Sequence, residues 1–255
     1  MDAGRRQQYL EALGITAWVR REAAGLVDEP VPLEDKPATA APDRPCSMEE
    51  DSAARIVPEA VPAEAPGAAP AAGWEALEAA VAACTACELH RSRSNTVFGV
   101  GDRNAELMII GEAPGAEEDR QGEPFVGRAG QLLNAMLRAI GLGRGQVFIA
   151  NILKCRPPGN RNPEPDEVAA CAHFLRQQVN LVKPRVILAV GGVAAHNLLQ
   201  TDDAVGRLRR RVHAYGEDRI PLLVTYHPAY LLRRPEEKAK AWDDLQKLHG
   251  LLHAD

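Results

Sequence analysis

Long apolar runs are scarce in this sequence of 255 residues. No stretch stays apolar over the roughly 20 residues that a helix needs to cross a bilayer, and the chain opens with no secretory signal. These absences predict a cytoplasmic protein without a membrane partner. Five cysteines in a reducing compartment favour metal binding or catalysis over disulfides.

An apolar period is also missing from residues 28–73, which hold nine prolines and twelve alanines, with ten acidic against three basic residues. Such a segment cannot bury enough surface to offset its chain entropy, so it predicts a disordered acidic linker. We therefore expect a short ordered or docking peptide over residues 1–27, the linker, and a folded domain over residues 74–255. Because the folded part has 23 basic and 22 acidic residues, its charge is compatible with a nucleic-acid partner.

Short apolar segments alternate with helical patterns in the folded part. The segments LMII, VFIANILKC, RVILAVGG and PLLVTYHP are typical of buried strands. Helical patterns cover residues 74–90, 128–140, 165–182, 194–200 and 236–252. This alternation predicts an α/β fold with a parallel sheet covered on both faces, and we expect four central strands.

Polar and aromatic side chains follow these strands. They are Glu112, Glu118, Phe125, Asn151 and His227. In open α/β sheets, ligands bind at the carboxyl ends of the strands. A ring for stacking, an amide that reads an edge and a histidine that stabilises negative charge would suit a flipped nucleobase. Taken singly, the acidic loop could be a solvated connector and Asn151 a turn former.

The segment TYHPAYLLRRP places an apolar tip between His227 and a pair of arginines. An apolar wedge flanked by cations suits insertion into a duplex, although the same pattern also fits a helix amino terminus with core leucines. The residues expected to contact DNA are Tyr230, Leu231, Leu232, Arg233 and Arg156.

Four cysteines lie in the folded part: Cys84 and Cys87 form a CxxC, and Cys155 and Cys171 are dispersed, while Cys46 is left over in the linker. Four thiolates suit zinc or an iron–sulfur cluster. Zinc more often uses two CxxC knuckles, so one CxxC with two dispersed cysteines favours a [4Fe-4S] cluster. A redox pair and a set of buried apolar cysteines are the alternatives.

From about residue 74 to residue 252, the chain resembles the family-four uracil-DNA glycosylases, the iron–sulfur branch of that superfamily. The resemblance rests on GEAPG at 111–115, EPFVGRAGQLL at 123–133, NILKCRPP at 151–158, the four cysteines and HPAYLL at 227–232. It implies a three-layer α/β/α fold, a [4Fe-4S] cluster on the four cysteines, and hydrolysis of uracil from DNA. It also implies that Phe125 stacks on uracil, Asn151 reads its edge and His227 stabilises the departing base.

One departure concerns the water-activating carboxylate. The better-known uracil glycosylases carry an aspartate where this chain has Ala113, so we expect Glu118 to orient the water and Glu112 to support it. None of the presumed pocket residues is a lysine, so we expect hydrolysis without lyase activity. The small Ala113 could also admit another deaminated base, such as hypoxanthine. A non-catalytic iron–sulfur adaptor that binds DNA at the replication machinery is the alternative from another class.

The first 27 residues resemble the amino-terminal peptide of the psi subunit of the bacterial clamp loader. The resemblance implies a contact with the replication machinery, and we expect the chain to be a monomer. The matching residues are Arg5, Arg6, Leu13, Gly14, Ile15, Thr16, Trp18, Arg20 and Arg21.

Overall fold

The computed structural model describes residues 73–254. The predicted docking peptide, all of the predicted linker except its last residue, and Cys46 lie outside the described residues.

A single sheet organises the described part of the chain. Its strands are β1 (Val100–Gly101), β2 (Leu107–Gly111), β3 (Phe148–Asn151), β4 (Val186–Val190), β5 (His213–Tyr215) and β6 (Ile220–Thr225). They lie in the order β1-β3-β2-β4-β6-β5. The four central strands are parallel, as the sequence predicts.

The sheet also has two strands that the sequence did not predict, because an antiparallel edge strand flanks the parallel core on each side. Strand β1 has two residues and β5 has three, too short for either to show an apolar pattern. At β1 the close pairing depends on glycine, since a Cβ on Gly101 would lie 1.8 Å from the carbonyl oxygen of Val147. The backbone of Gly101 also has a positive φ of 124°, which favours glycine.

Helices cover both faces of the sheet. They are α1 (Trp74–Ala82), α2 (Ala116–Gln121), α3 (Arg128–Ala139), α4 (Pro165–Val182), α5 (Gly192–Leu199), α6 (Val205–Leu208), α7 (Pro228–Arg233) and α8 (Lys238–Leu252). Short 3-10 turns span Glu88–Arg91, Arg144–Gln146, Pro158–Asn160 and Pro235–Glu237. None of these described helices is long and apolar enough to cross a membrane.

The alternating side chains of β2 explain the three layers. Leu107 and Ile109 point into one core with residues of α3, α7 and α8. Met108 and Ile110 point into a second core with residues of α4, α5 and α6. Successive side chains of a strand face opposite sides of the sheet, so a wholly apolar strand serves both cores. The fold is therefore α/β with three α/β/α layers.

Two helices differ from the sequence-based expectation. Helix α1 ends at Ala82, so Cys84 and Cys87 lie in the turn beyond it rather than on the helix. Helix α2 lies within the loop predicted after β2, where Gly115 precedes it and Gly122, with a φ of 78°, ends it. This short helix carries Glu118 and turns the chain back towards the sheet.

Candidate active site

A cavity of about 450 Å³ opens at the carboxyl ends of β2, β3 and β6. The structure brings together in its lining all six of the side chains predicted for the base pocket and the chemistry: Glu112, Ala113, Glu118, Phe125, Asn151 and His227. Such a volume accommodates a small ring system within a mixed polar and apolar wall.

Gly111, at the end of β2, leaves room for two side chains at the centre of this cavity. It pairs with Asn151 across the two parallel strands. A Cβ on Gly111 would lie 2.5 Å from Oδ1 of Asn151 and 2.7 Å from Cζ of Phe125. The amide and the ring therefore occupy the space that any other residue at position 111 would fill.

The side chain of Asn151 is only 2% exposed. Its Oδ1 has no hydrogen-bond partner among the described residues. Buried polar atoms in folded proteins are nearly always hydrogen-bonded, so an unpaired amide oxygen on a cavity wall is a site for a ligand's donor.

Phe125 is held in an unusual backbone conformation, with a φ of 53°. Gly130 on α3 permits this, since a Cβ there would lie 1.7 Å from the carbonyl oxygen of Phe125. The guanidinium of Arg144 donates hydrogen bonds to the carbonyl oxygens of Phe125 and Pro124. The buried ring is thus fixed from the backbone side, and its centroid lies 5.7 Å from that of His227.

His227 is the residue before α7, and its Nδ1 accepts a hydrogen bond from the backbone N–H of Ala229 at 3.1 Å. Burial, helped by the positive charge of Arg233 and opposed by the negative charge of Glu118, lowers the pKa of His227 to about 4. The ring is therefore neutral near pH 7. Because Nδ1 accepts, the ring hydrogen lies on Nε2, which is free to donate.

Glu118 and Glu112 differ in their surroundings. Oε1 of Glu118 accepts the backbone N–H groups of Val126 and Gly127 at 3.0 and 3.1 Å. Its Oε2 lies over Gly115, where a Cβ would come within 2.7 Å. Burial raises the pKa of Glu112. The carboxylate of Glu118 is thus oriented by the backbone, whereas that of Glu112 lies in a poorly solvated position.

The loop after β3 supplies lining residues that the sequence prediction missed: Pro157, Asn160, Arg161 and Asn162. Arg161 forms a two-point ion pair with buried Glu167, with distances of 2.6 and 2.9 Å. The Oδ1 of Asn160 accepts a hydrogen bond from Nε of Arg156 at 2.8 Å. The prolines and asparagines of this loop could have indicated these lining residues, because such residues favour a defined turn close to a strand end.

The predicted apolar tip is only partly present. Leu231 is 1% exposed and packs in the core, so its assignment to a DNA-contacting tip is wrong. Helix α7 directs this leucine into the core, which agrees with the alternative interpretation of the segment as a helix amino terminus with core leucines. Leu232 is 36% exposed, and Arg233 lines the cavity. Tyr230 stacks on Tyr226 with ring centroids 5.2 Å apart.

The four cysteines of the folded part surround a second, small cavity next to α1 and α4. Donors point at their sulfur atoms: Nη1 of Arg93 lies 3.0 Å from Cys155 Sγ, and the backbone N–H of Lys154 lies 3.3 Å from Cys171 Sγ. Burial raises the pKa of the Cys155 thiol, and that of Cys171 to about 11. Burial thus disfavours the thiolate form of both cysteines, and a bound metal ion would favour it. Among the described residues, no group of three or more His, Cys, Asp or Glu side chains is arranged so that it could hold a metal ion.

Comparison with known proteins agrees with the geometry of the cavity. Residues 98–246 match the model of the uracil DNA glycosylase superfamily. A type-4 uracil-DNA glycosylase of Archaeoglobus fulgidus is 41% identical over 178 residues, which cover 67% of this chain and 89% of that protein. That of Pyrobaculum aerophilum is 42% identical over 66% of this chain and 88% of its own length. The type-4 uracil-DNA glycosylase of Thermotoga maritima is 41% identical over 70% of this chain and 94% of its own length. The chain therefore belongs to the uracil DNA glycosylase superfamily and, within it, to the type-4 uracil-DNA glycosylases, the family that its motifs resemble.

Proposed function

We propose that this chain excises uracil from DNA by hydrolysing the N-glycosidic bond, and leaves an abasic site for base excision repair. The observation that carries the proposal is the unpaired Oδ1 of buried Asn151 on the cavity wall. An amide in this position accepts from one atom of a base edge and donates to the next. The membership of the type-4 family agrees with this assignment.

The base enters the cavity by leaving the DNA stack. Phe125 provides the surface on which it stacks, since its ring is buried and its backbone is held by Arg144. Asn151 reads the edge of the base, and Ala113 bounds the cavity near the strand end. Stacking and edge recognition together favour one base over the others.

Bond cleavage leaves negative charge on the base and positive charge on the sugar. The neutral ring of His227 donates from Nε2 to the base oxygen on which negative charge develops, because its Nδ1 is occupied by the N–H of Ala229. A preorganised donor of this kind contributes about 10²–10³ in rate.

The carboxylates act on the opposite charge. Glu118 orients the attacking water with Oε2, while Oε1 is anchored by two backbone amides. Glu112 supports the cationic sugar from its partly buried position. The water loses its proton to a carboxylate as it adds to the sugar carbon, and the departing base keeps the electron pair of the broken bond.

The DNA surface lies around the mouth of this cavity. Leu232 is exposed beside it and fills the place of the extruded base, whereas Arg233 and Arg156 contact phosphates. Tyr230 supports this edge through its stacking on Tyr226.

The four cysteines, Cys84, Cys87, Cys155 and Cys171, hold a [4Fe-4S] cluster. Support comes from their shared cavity and from the donors of Arg93 and Lys154 that face the sulfur atoms. A cluster here supplies a cross-link between the turn after α1, the end of β3 and helix α4. Iron and acid-labile sulfide in the purified protein, and their loss on Cys84→Ala, would test the assignment.

The proposal extends to the two amino-terminal segments and to the assembly of the protein. Residues 1–27 dock on the clamp loader, residues 28–73 link this peptide to the glycosylase domain, and the enzyme works as a cytoplasmic monomer. Retention of clamp-loader subunits on an immobilised peptide of residues 1–27 tests the first. Light scattering of the full chain tests the last.

The experiment that tests the excision proposal compares Asn151→Asp and Asn151→Leu with the wild type on an oligonucleotide containing one uracil. We expect both variants to lose most of the single-turnover rate, because neither presents an amide to the base. Wild-type rates in both would refute the proposed role of Asn151.

A further inference from the structure

Lys154 lies between the cavity of the base and the cavity of the cysteines. Its side chain is 1% exposed. Nζ donates to the backbone carbonyl oxygen of Asn151 at 2.8 Å and to Oε1 of Gln178 at 2.6 Å. Its backbone N–H donates to the sulfur of Cys171, and the residue lines the cysteine cavity. One residue therefore contacts both sites.

The contact with Asn151 secures the end of β3. The two backbone N–H groups that follow, those of Ile152 and Leu153, donate to the carbonyl oxygens of Gly111 and Glu112. The carbonyl oxygen of Asn151 is instead capped by the ammonium of Lys154. A buried carbonyl oxygen needs a partner, so loss of the ammonium would free the backbone that carries the base-reading amide.

The charge of Lys154 is not balanced by a carboxylate. The two oxygens that accept from Nζ are neutral, and no ion pair of Lys154 occurs in the part of the chain that the structure describes. The cysteine site adjoins this residue, because Cys155 follows Lys154 in the chain and the sulfur of Cys171 accepts the backbone N–H of Lys154 at 3.3 Å. A buried cation without a compensating anion is strongly disfavoured. Within the described residues, the position of the ammonium therefore depends on its two neutral acceptors.

Gln178 fixes the far side of the ammonium. It comes from α4, the same helix that carries Cys171. Its Nε2 donates to the carbonyl oxygen of Phe98 at 2.8 Å, which leaves Oε1 directed at Lys154. The ammonium thus has a defined position between the helix and the strand end.

We propose that Lys154 is a positioning residue that couples the cysteine site to the base pocket. The sulfur of Cys171 holds the backbone N–H of Lys154, the ammonium of Lys154 holds the main chain of Asn151, and the side-chain amide of Asn151 keeps its orientation towards the base. The proposal rests on the proposed function, since it assumes that Asn151 reads the base and that the cysteines bind a cluster.

The test uses the full-length protein with its cluster and compares the wild type with Lys154→Met and Gln178→Leu. The exposed Lys183→Met serves as a matched control. Inhibition of excision by free uracil measures the base pocket directly, and iron content is measured on the same samples. We expect Lys154→Met to retain iron, to bind free uracil about tenfold more weakly and to excise uracil correspondingly more slowly, with unchanged affinity for undamaged DNA. Lys183→Met should match the wild type.

A second readout concerns the opposite direction of the coupling, because linked sites affect each other reciprocally. Free uracil should slow the release of iron to a chelator in the wild type and have no such effect in Lys154→Met. A purely structural role of Lys154 would change the speed of iron release but not its response to uracil.

Equal uracil inhibition in the wild type and in iron-replete Lys154→Met would overturn the coupling alone. If Lys154→Met loses its iron on purification, Gln178→Leu decides, because it leaves the contacts with the cysteines intact. Weaker uracil binding in that variant supports the coupling, and wild-type binding overturns it. A wild-type protein without iron, or one that releases no uracil, would overturn the coupling together with the proposed function.

Discussion

The rings of Phe125 and His227 lie with their centroids 5.7 Å apart and their planes inclined at 31°. A planar base that stacks on Phe125 therefore lies within hydrogen-bond reach of the histidine at its edge. In the proposed mechanism, stacking and charge stabilisation act on the same small ring, and the absence of a side chain at Gly111 leaves room for Phe125 and Asn151.

Replacing His227 tests the role of a neutral donor. We expect His227→Gln to lower the single-turnover rate by about 10²–10³. Because burial lowers the pKa of His227 to about 4, the ring does not change its charge between about pH 5 and pH 8. The ratio of wild-type to variant rates should therefore be constant over that range. Only as the pH falls through about 4 does Nδ1 gain a hydrogen and lose the bond from Ala229.

Rates of both proteins measured across this range decide the matter. A ratio that changes with a midpoint near the ordinary histidine pKa of about 6.5 would show that the ring titrates there, contrary to its burial.

Glu118→Gln separates the charge of this carboxylate from its structural contacts. The amide oxygen still accepts the N–H groups of Val126 and Gly127, so the fold should persist. We expect the excision rate to fall by about 10²–10⁴, as for loss of a general base, and Glu112→Gln to cost less. Undiminished single-turnover cleavage by Glu118→Gln would refute the assignment.

Gly111→Ala places a methyl group where Oδ1 of Asn151 and the ring of Phe125 now lie. We expect a loss of about 10² in rate, because small displacements of positioning groups have effects of this size. Gly145→Ala is the matched control, since nothing lies within 4 Å of its Cβ position. Full activity in both variants would mean that the cavity is not the reacting site.

The two leucines of α7 should behave differently. Leu231→Ala removes a core side chain, and we expect the free energy of unfolding to fall by about 2–5 kcal/mol. Leu232→Ala should leave stability within about 0.5 kcal/mol and should slow cleavage of double-stranded more than single-stranded DNA. Urea unfolding and paired cleavage assays measure the two effects. An unstable Leu232→Ala with uniform cleavage would contradict the placement.

Much of this site could be predicted from the sequence. The four central strands are apolar except for Asn151 and Thr225 at two of their carboxyl ends, so both their burial and their parallel direction follow from the alternation with helices. Residues that follow such strands converge at one edge, which is how Asn151 and His227 could be paired from positions 76 apart in the sequence.

Other features depend on distances that no local pattern records. Six residues of α7 fit either an exposed tip or a buried turn, so the inward direction of Leu231 was decided by packing. The support of Phe125 by Arg144 joins residues 19 apart in the chain. The hydrogen bond from Lys154 to Gln178 joins residues 24 apart in the chain. Lysines are usually exposed, so the burial of Lys154 could not be predicted from its residue type.

The most direct test of the central claim is single-turnover cleavage of three labelled strands by iron-replete protein. The strands differ only in carrying one uracil, one hypoxanthine or thymine alone. We expect rapid conversion of the uracil strand into an alkali-labile abasic site and no cleavage of the thymine strand. Cleavage of hypoxanthine would show that Ala113 admits a larger base. No product from any strand would contradict the proposal and would favour a DNA-binding adaptor instead.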